Sequence, residues 1–384
     1  MSEGLHGVAV YNPSLSSDAE LRQSFVARIT VLDRIVEEIK KEKNGAAPQH
    51  HLILGLRGMG KTTLLRRVAI AVQDDPLLNA EWLPLTFPEE QYNVATPRDF
   101  WFNCLDSLCD ILEKTGNKRE ADHLDDLIEK RKTDHCTGDA ILRILIDTAH
   151  RIQKRLVLLV DNIDFIFDRL KEHHWSIREI LQSESRLLVI GASHRAMEAT
   201  YTYEAAFYDF FRIHELKKLT REETYDILKN LAQFERSTQV ARLIETEPAR
   251  INALHTLTGG NPRTIVLLFK VLSRGLEGDV RSDLEGLLDM VTPLYKARFE
   301  ELPSLSQQVV GAIALHWDPI MARGIASELN MQINKVSAQL SRLLDNGIIE
   351  EVPHPKRKRA SYQISERFFN IWYLMRASRR VKRK

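Results

Sequence analysis

The chain has 384 residues, 43% of them hydrophobic, a net charge of +1 and three cysteines. That length suits two or three domains with cores of their own; no run approaches the roughly 18 apolar residues of a membrane span, and Glu3 and His6 interrupt any leader at the start. Cys104, Cys109 and Cys136, an odd set with no C-x-x-C pair, read as reduced thiols of a cytoplasmic protein, and His135 beside Cys136 does not make a metal pattern.

In chain order, Val31, Ile35 and Ile39 predict a helix, preceded by Phe25-Val26-Ala27-Arg28 and closed off by Pro48. A strand is expected from near His50 through Leu52-Ile53-Leu54. Gly55-Leu56-Arg57-Gly58-Met59-Gly60-Lys61-Thr62-Thr63 follows at once, a complete G-x-x-x-x-G-K-T. In such a loop backbone N–H groups converge on phosphates, glycine permits the tight curl, lysine neutralises charge and the threonine hydroxyl ligates Mg²⁺. The helix opening at Thr63 and running through Leu64 to Val72 adds its positive end to the anion site.

Glu81 to Phe87 predicts a second strand, and its exit Pro88-Glu89-Glu90-Gln91 reads as a solvated turn, the alternative being that it faces the γ-phosphate. Asp99 to Leu112 predicts an amphipathic helix. Glu113 to Gly138 is charged and reads as an irregular surface insertion, and Ile141 to Ile152 as helix. Leu156 to Val160 and Leu187 to Ile190 are continuous apolar runs, the mark of buried parallel strands. Strands alternating with helices predict an α/β domain with a parallel sheet.

The acids after these strands matter most. Asp161 ends a buried strand, where a carboxylate is costly without a task; it is the candidate to hold Mg²⁺ with Thr62, the alternative being that Asp161 or Asn162 caps the next helix. The following strand exits through Gly191-Ala192-Ser193-His194-Arg195. Ser193 is a candidate for the γ-phosphate or attacking water and Arg195 for stabilising charge there, a plain turn being the alternative. In Thr258-Gly259-Gly260-Asn261-Pro262-Arg263, Asn261 suits an N-cap and Pro262 the first helical position. Arg263 then falls in the first turn, where a cation is disfavoured by about 0.3–1 kcal/mol; a bound anion would account for it, against the alternative of a plain surface arginine.

Thr220 to about Met290 is helical throughout. From Glu300 to Lys384 there are fourteen Lys/Arg and eight Asp/Glu, a surplus of six over an acidic remainder, which predicts an anionic partner for that end. Met321 to Leu329 and about Lys335 to Leu344 read as two helices. The second has an inward stripe of Val336, Leu340, Leu343 and Leu344 and an opposite face assigned to Lys335, Ala338, Gln339 and Arg342. Two strands, Ile348 to Val352 and Ala360 to Ile364, flank Lys356-Arg357-Lys358-Arg359, a cationic tip suited to gripping phosphates; Arg379 to Lys384 is a second basic run. Phe368, Phe369, Ile371, Trp372 and Leu374 predict a closing helix that is core.

Together these segments resemble P-loop ATPases of the AAA+ and STAND groups, archaeal-type ATPases and the origin-recognition initiator clade among them. GLRGMGKTT resembles Walker A, LVLLVDNID Walker B, Ser193 to Arg195 sensor 1, and GGNPR sensor 2 of a helical lid. The resemblance implies that Phe25, Val26 and Arg28 contact adenine. It implies a P-loop ATPase core at 49–219 behind an N-terminal segment 1–48, a lid at 220–298, a winged helix at 299–376 and a basic tail at 377–384. ATP and Mg²⁺ are the implied cofactors. AAA+ proteins usually place glutamate after the Walker B aspartate; here it is Asn162, which orients water but takes no proton, leaving Asp164 as a substitute. The reading is therefore a slow ATPase acting as a switch on double-stranded DNA, with no membrane. The alternative is a nucleotide-regulated scaffold that forms homo-oligomers or holds an effector protein, for example in antiviral defence. Arg212 is a candidate arginine finger.

Overall fold

In the computed structural model, residues 17–87, 91, 93–133, 136–273, 280–352 and 360–376 are described. The chain divides after Lys217 into two compact units.

The first unit opens with α1 (Asp18–Ser24), started by a reciprocal Ser17/Glu20 capping box, and α2 (Ile29–Lys41), which buries Leu32, Ile35 and Ile39 while Val31 is half-buried. Then come β1 (His50–Leu54), α3 (Lys61–Asp74), α4 (Pro76–Glu81), β2 (Trp82–Thr86), α5 (Pro97–Lys114), α6 (Lys118–Thr133) and α7 (Gly138–Arg151). β3 (Arg155–Val160), α8 (Ile163–Arg169), α9 (His174–Ser183), β4 (Leu187–Ser193), α10 (Glu198–Tyr201) and β5 (Phe211–Glu215) complete it. The five strands are parallel, in the order β2-β3-β4-β1-β5.

Both faces of this sheet are covered, which is why its strands read as unbroken apolar runs. Along β1, Leu52 enters the core under α5 and α7, and its neighbour Ile53 enters the core under α2 and α3. Because β4 lies between β1 and β3, the glycine loop after β1, the polar exit of β4 and the acid after β3 share one edge of the sheet.

One expectation is corrected here. Glu113 to Gly138 is not an irregular insertion: α6 fills most of it and buries Ala121, Leu124 and Ile128 in the core that α5 also lines. The spacing of those three residues is helical, and the charged majority around them hid it. Residues 88–90 and 134–135, which include the exit of the second strand and His135, lie outside the described residues.

The second unit begins with α11 (Arg221–Phe234), set by a Thr220/Glu223 capping box, then α12 (Thr238–Thr246), α13 (Pro248–Thr258), α14 (Pro262–Ser273) and α15 (Val280–Glu300). α16 (Ser304–Leu315), β6 (Ile320–Met321), α17 (Ala322–Glu328), α18 (Ile333–Asp345), β7 (Ile349–Val352), β8 (Ser361–Ile364) and α19 (Arg367–Arg376) follow. β7 and β8 form the expected antiparallel hairpin; the short β6, which sequence reading missed, joins β8 on its other side. One core runs from α14 and α15 through α16, α18 and α19, so the helical segment and the C-terminal domain bury apolar surface together. Phe368, Phe369 and Trp372 are buried in it, as their pattern predicts.

Candidate functional site

The glycine loop takes its shape from two left-handed residues, Gly58 at φ 85° and Gly60 at φ 87°. Nothing lies within 4 Å of where a Cβ on Gly60 would fall, so glycine is needed there for backbone conformation and not for space. Gly55 is the opposite case: a Cβ there would meet Leu216 Cβ at 3.0 Å. Its N–H donates to the Ser193 carbonyl at 3.2 Å, stitching the loop to the end of β4. Met59 is buried beneath the loop, while Leu56 and Arg57 are half-buried.

Lys61, buried at the first position of α3, folds back to donate to the carbonyls of Gly55 at 2.6 Å and Leu56 at 3.2 Å. Thr62 donates from Oγ1 to Asp161 Oδ2 at 2.5 Å. Asp161 Oδ1 accepts from the N–H of Asn162 at 2.9 Å. A hydroxyl and a carboxylate from segments 99 residues apart thus converge beside the glycine loop. These are hard oxygen donors, the set that Mg²⁺ takes. Asp161 does not cap α8. Asn162 occupies the N-cap position in the left-handed region, at φ 49°, with no side-chain cap. Thr63 lies in the first turn of α3.

The remaining acid of the DNID segment has other partners. Asp164 is fully buried; its Oδ2 lies 3.1 Å from His194 Nδ1 and 3.4 Å from Arg195 Nε. Burial pushes its pKa up, but the nearby His194 ring and the Arg195 guanidinium outweigh that and hold it below the usual carboxylate range. Arg195 also pairs with Asp168. Ser193, fully buried, donates from Oγ to the Arg195 carbonyl at 2.6 Å and accepts from its N–H at 3.2 Å, so the hydroxyl shapes its own turn. His194 was not singled out from sequence, since nothing local announces that its ring meets Asp164.

Phe25 ends α1 and lies half-buried under the Arg67 guanidinium, 5.4 Å from its ring centroid. Val26 is half-buried beside it. Arg28, at φ 69°, starts α2 and donates to the Lys217 carbonyl. Arg212 pairs with Glu38.

In the second unit, Gly259 and Gly260 are left-handed at φ 59° and 69°. A Cβ on Gly259 would fall 2.3 Å from the Ser365 carbonyl oxygen, and one on Gly260 2.5 Å from that of Leu219. Asn261 caps α14 as expected, accepting from the N–H of Arg263 at 3.0 Å, with Pro262 at the first helical position. Asn261 also donates to Glu366 at 3.0 Å, a contact with no sequence signal.

On α18, Lys335 and Arg342 are exposed, but the placement of Gln339 on that outer face is wrong. Gln339 is buried and accepts from Ser306 Oγ at 2.7 Å. It stands three residues after Val336 and four before Leu343, which is the inward stripe. Lys356, Arg357, Lys358 and Arg359, and the tail from residue 377, lie outside the described residues. No helix among the described residues is long and apolar enough to cross a membrane.

Comparison with known proteins agrees with this geometry. Residues 24–190 match the AAA ATPase domain, so the glycine-loop unit is an ATPase domain of that kind on a P-loop AAA+ fold. A Walker-type ATPase of Pyrococcus abyssi has a similar fold, with a TM-score of 0.62 at 15% identity over 92% of this chain and 97% of that one. Looser likenesses are the Orc1 protein of Aeropyrum pernix, solved in complex with DNA (TM-score 0.47, 14% identity, 94% of this chain and 95% of that one), and Cdc6p of Pyrobaculum aerophilum (0.45, 13%, 93% and 98%). No curated protein matches the chain.

Proposed function

We propose that this protein is an ATP-dependent switch: the glycine-loop unit binds Mg·ATP and hydrolyses it slowly, and nucleotide state governs how a C-terminal winged helix engages double-stranded DNA. The observation that carries the first half is the contact between Thr62 Oγ1 and Asp161 Oδ2 beside the loop. Lys61 exchanges its two loop carbonyls for phosphate oxygens, and Thr62 and Asp161 hold the metal. Magnesium held by Thr62 and Asp161 would supply charge neutralisation at the phosphates. Phe25 and Val26 flank the adenine, with Arg28 anchoring the turn that follows them. Asn162 orients the attacking water without accepting its proton. Arg195 and Ser193 shape the neighbouring exit of β4, and Arg263 carries the response of the lid to the γ-phosphate.

The DNA half rests on the charge of the last 85 residues and on Lys335 and Arg342, which stand exposed on one helix. Calorimetry tests the nucleotide site: Lys61→Ala abolishes measurable ATP binding, and wild-type affinity in that variant refutes the assignment. Filter binding to duplex DNA across a salt series, with and without ATP, tests the switch. Absence of DNA affinity at low salt in both states would replace it with the nucleotide-regulated scaffold that binds a partner protein.

A further inference from the structure

Glu38 of α2, His51 of β1 and His214 of β5 bring three ligand atoms together within 4.8 Å of one another, in the layer between the sheet and α2. His51 Nδ1 lies 3.0 Å from His214 Nε2 and 3.4 Å from Glu38 Oε2. Donors held about 2.0–2.2 Å from a tetrahedral ion are separated by about 3.3–3.6 Å, so these edges are close to those of a coordination triangle. The register explains the meeting: Ile53 pairs with His214 and His51 with Arg212, which puts His51 and His214 on the same face of adjacent strands.

The chemistry of the three groups fits an ion. His51 is fully buried and His214 nearly so, and each imidazole has a lone-pair nitrogen to offer an ion. Glu38 Oε1 takes the Arg212 guanidinium, while its Oε2 is buried with no hydrogen-bond partner among the described residues. A buried carboxylate oxygen left in that state is costly, and a cation on the His51 side would satisfy it. Arg212 and Arg34 bring positive charge to the same region. Two of the three donors are imidazole nitrogens, and this disfavours Mg²⁺ and Ca²⁺, which depend on several anionic oxygen ligands.

We propose that Glu38, His51 and His214 form a site for one divalent late first-row transition ion of the zinc class, with three protein ligands and one open position, fastening α2 to β1 and β5. The site is separate from the Mg²⁺ pair Thr62–Asp161.

Untagged full-length protein, stripped with chelator and saturated with Mg·ADP to fill the glycine-loop site, is titrated with Co²⁺ and then with Zn²⁺. The expected result is one equivalent of Co²⁺ giving the d–d absorption of a tetrahedral nitrogen–oxygen site, with no thiolate charge-transfer band, displaced by Zn²⁺. Glu38→Gln and His214→Asn each weaken binding by more than about tenfold, the lower end of the loss caused even by outer partners of a ligating histidine. Retained ADP affinity checks that each variant is folded. Histidine ring-nitrogen NMR of the wild type needs no variant: one equivalent of Zn²⁺ shifts the signals of two buried imidazoles. Absence of stoichiometric binding, a thiolate band, unmoved imidazole signals, or wild-type affinity in both variants overturns the proposal and leaves a metal-free His51–His214 hydrogen bond.

Discussion

Removing the carboxylate of Glu366 takes the acceptor from four donors at once. Its Oε1 receives Arg298 at 2.7 Å and Asn261 at 3.0 Å; its Oε2 receives Thr264 and Tyr295, both at 3.0 Å. The donors come from the start of α14 and from α15, while Glu366 stands just before α19. Burial and the Glu366 charge push the Tyr295 hydroxyl well above its usual pKa, so it stays a donor. In Glu366→Ala the Arg298 guanidinium, whose side chain is only 19% exposed, loses the Glu366 carboxylate, and two hydroxyls and an amide lose their bond to it. Breaking a buried pair costs about 3–5 kcal/mol, and the partial exposure of Arg298 places this case near 3. Glu366→Gln is milder. Its oxygen still serves Arg298 and Asn261, and its amide faces two hydroxyls that rotate to accept; the loss is that of charge assistance, about 1–2 kcal/mol. Hydrogen exchange read by mass spectrometry on peptides from α14, α15 and α19 reports the opening free energy of this unit alone. Alanine within about 0.5 kcal/mol of wild type, a spread typical of inert surface changes, or glutamine as costly as alanine, refutes the reasoning.

Gly259→Ala and Gly60→Ala separate two uses of glycine. The first pushes a Cβ to 2.3 Å from the Ser365 carbonyl oxygen and destabilises the second unit; the second meets no atom within 4 Å and carries only the left-handed penalty of about 1–2 kcal/mol, so thermal unfolding moves strongly for Gly259→Ala and weakly for Gly60→Ala. Gln339→Ala leaves Ser306 without its buried acceptor, costs about 1–3 kcal/mol in a denaturant titration and leaves the salt slope of DNA binding unchanged. Lys335→Ala and Arg342→Ala do the reverse, each lowering that slope by about one with stability unmoved.

The parts legible in sequence are those whose chemistry is local. Walker-type loops announce themselves because the glycines, lysine and threonine that hold a phosphate are consecutive, and buried parallel strands because both faces demand apolar side chains. Asp161 was legible at one remove, as a charge misplaced at a strand end. Gln339 has a polar type that suggests the outer face, while its spacing from Val336 and Leu343 puts it inside. What sequence spacing could not reach is pairing across the fold. The four donors on Glu366 come from residues 68 to 105 positions away, and His51 meets His214 across 163.

The segment Asp161-Asn162-Ile163-Asp164 assigns its two carboxylates to different tasks. One faces Thr62 across the site; the other is turned into the protein, between His194 and Arg195. The position between them, next to the Thr62–Asp161 pair, carries an amide. Asp164 is ionised and already paired, so drawing it toward water would break its contacts with a histidine and an arginine. On the proposed reading, hydrolysis here depends on positioned water and not on a general base, which typically contributes about 10²–10⁴-fold. Asp164→Asn then acts as a structural lesion: it loosens the β4 exit, lowers the melting temperature and leaves single-turnover hydrolysis of bound ATP within a few-fold of wild type. Asn162→Glu does the opposite, raising the single-turnover rate while costing only about 1 kcal/mol, because it gives up asparagine's tolerance of the left-handed conformation. If Asp164→Asn instead abolished hydrolysis in a fully stable protein, Asp164 would be the base and its pairing with Arg195 would have to open during turnover.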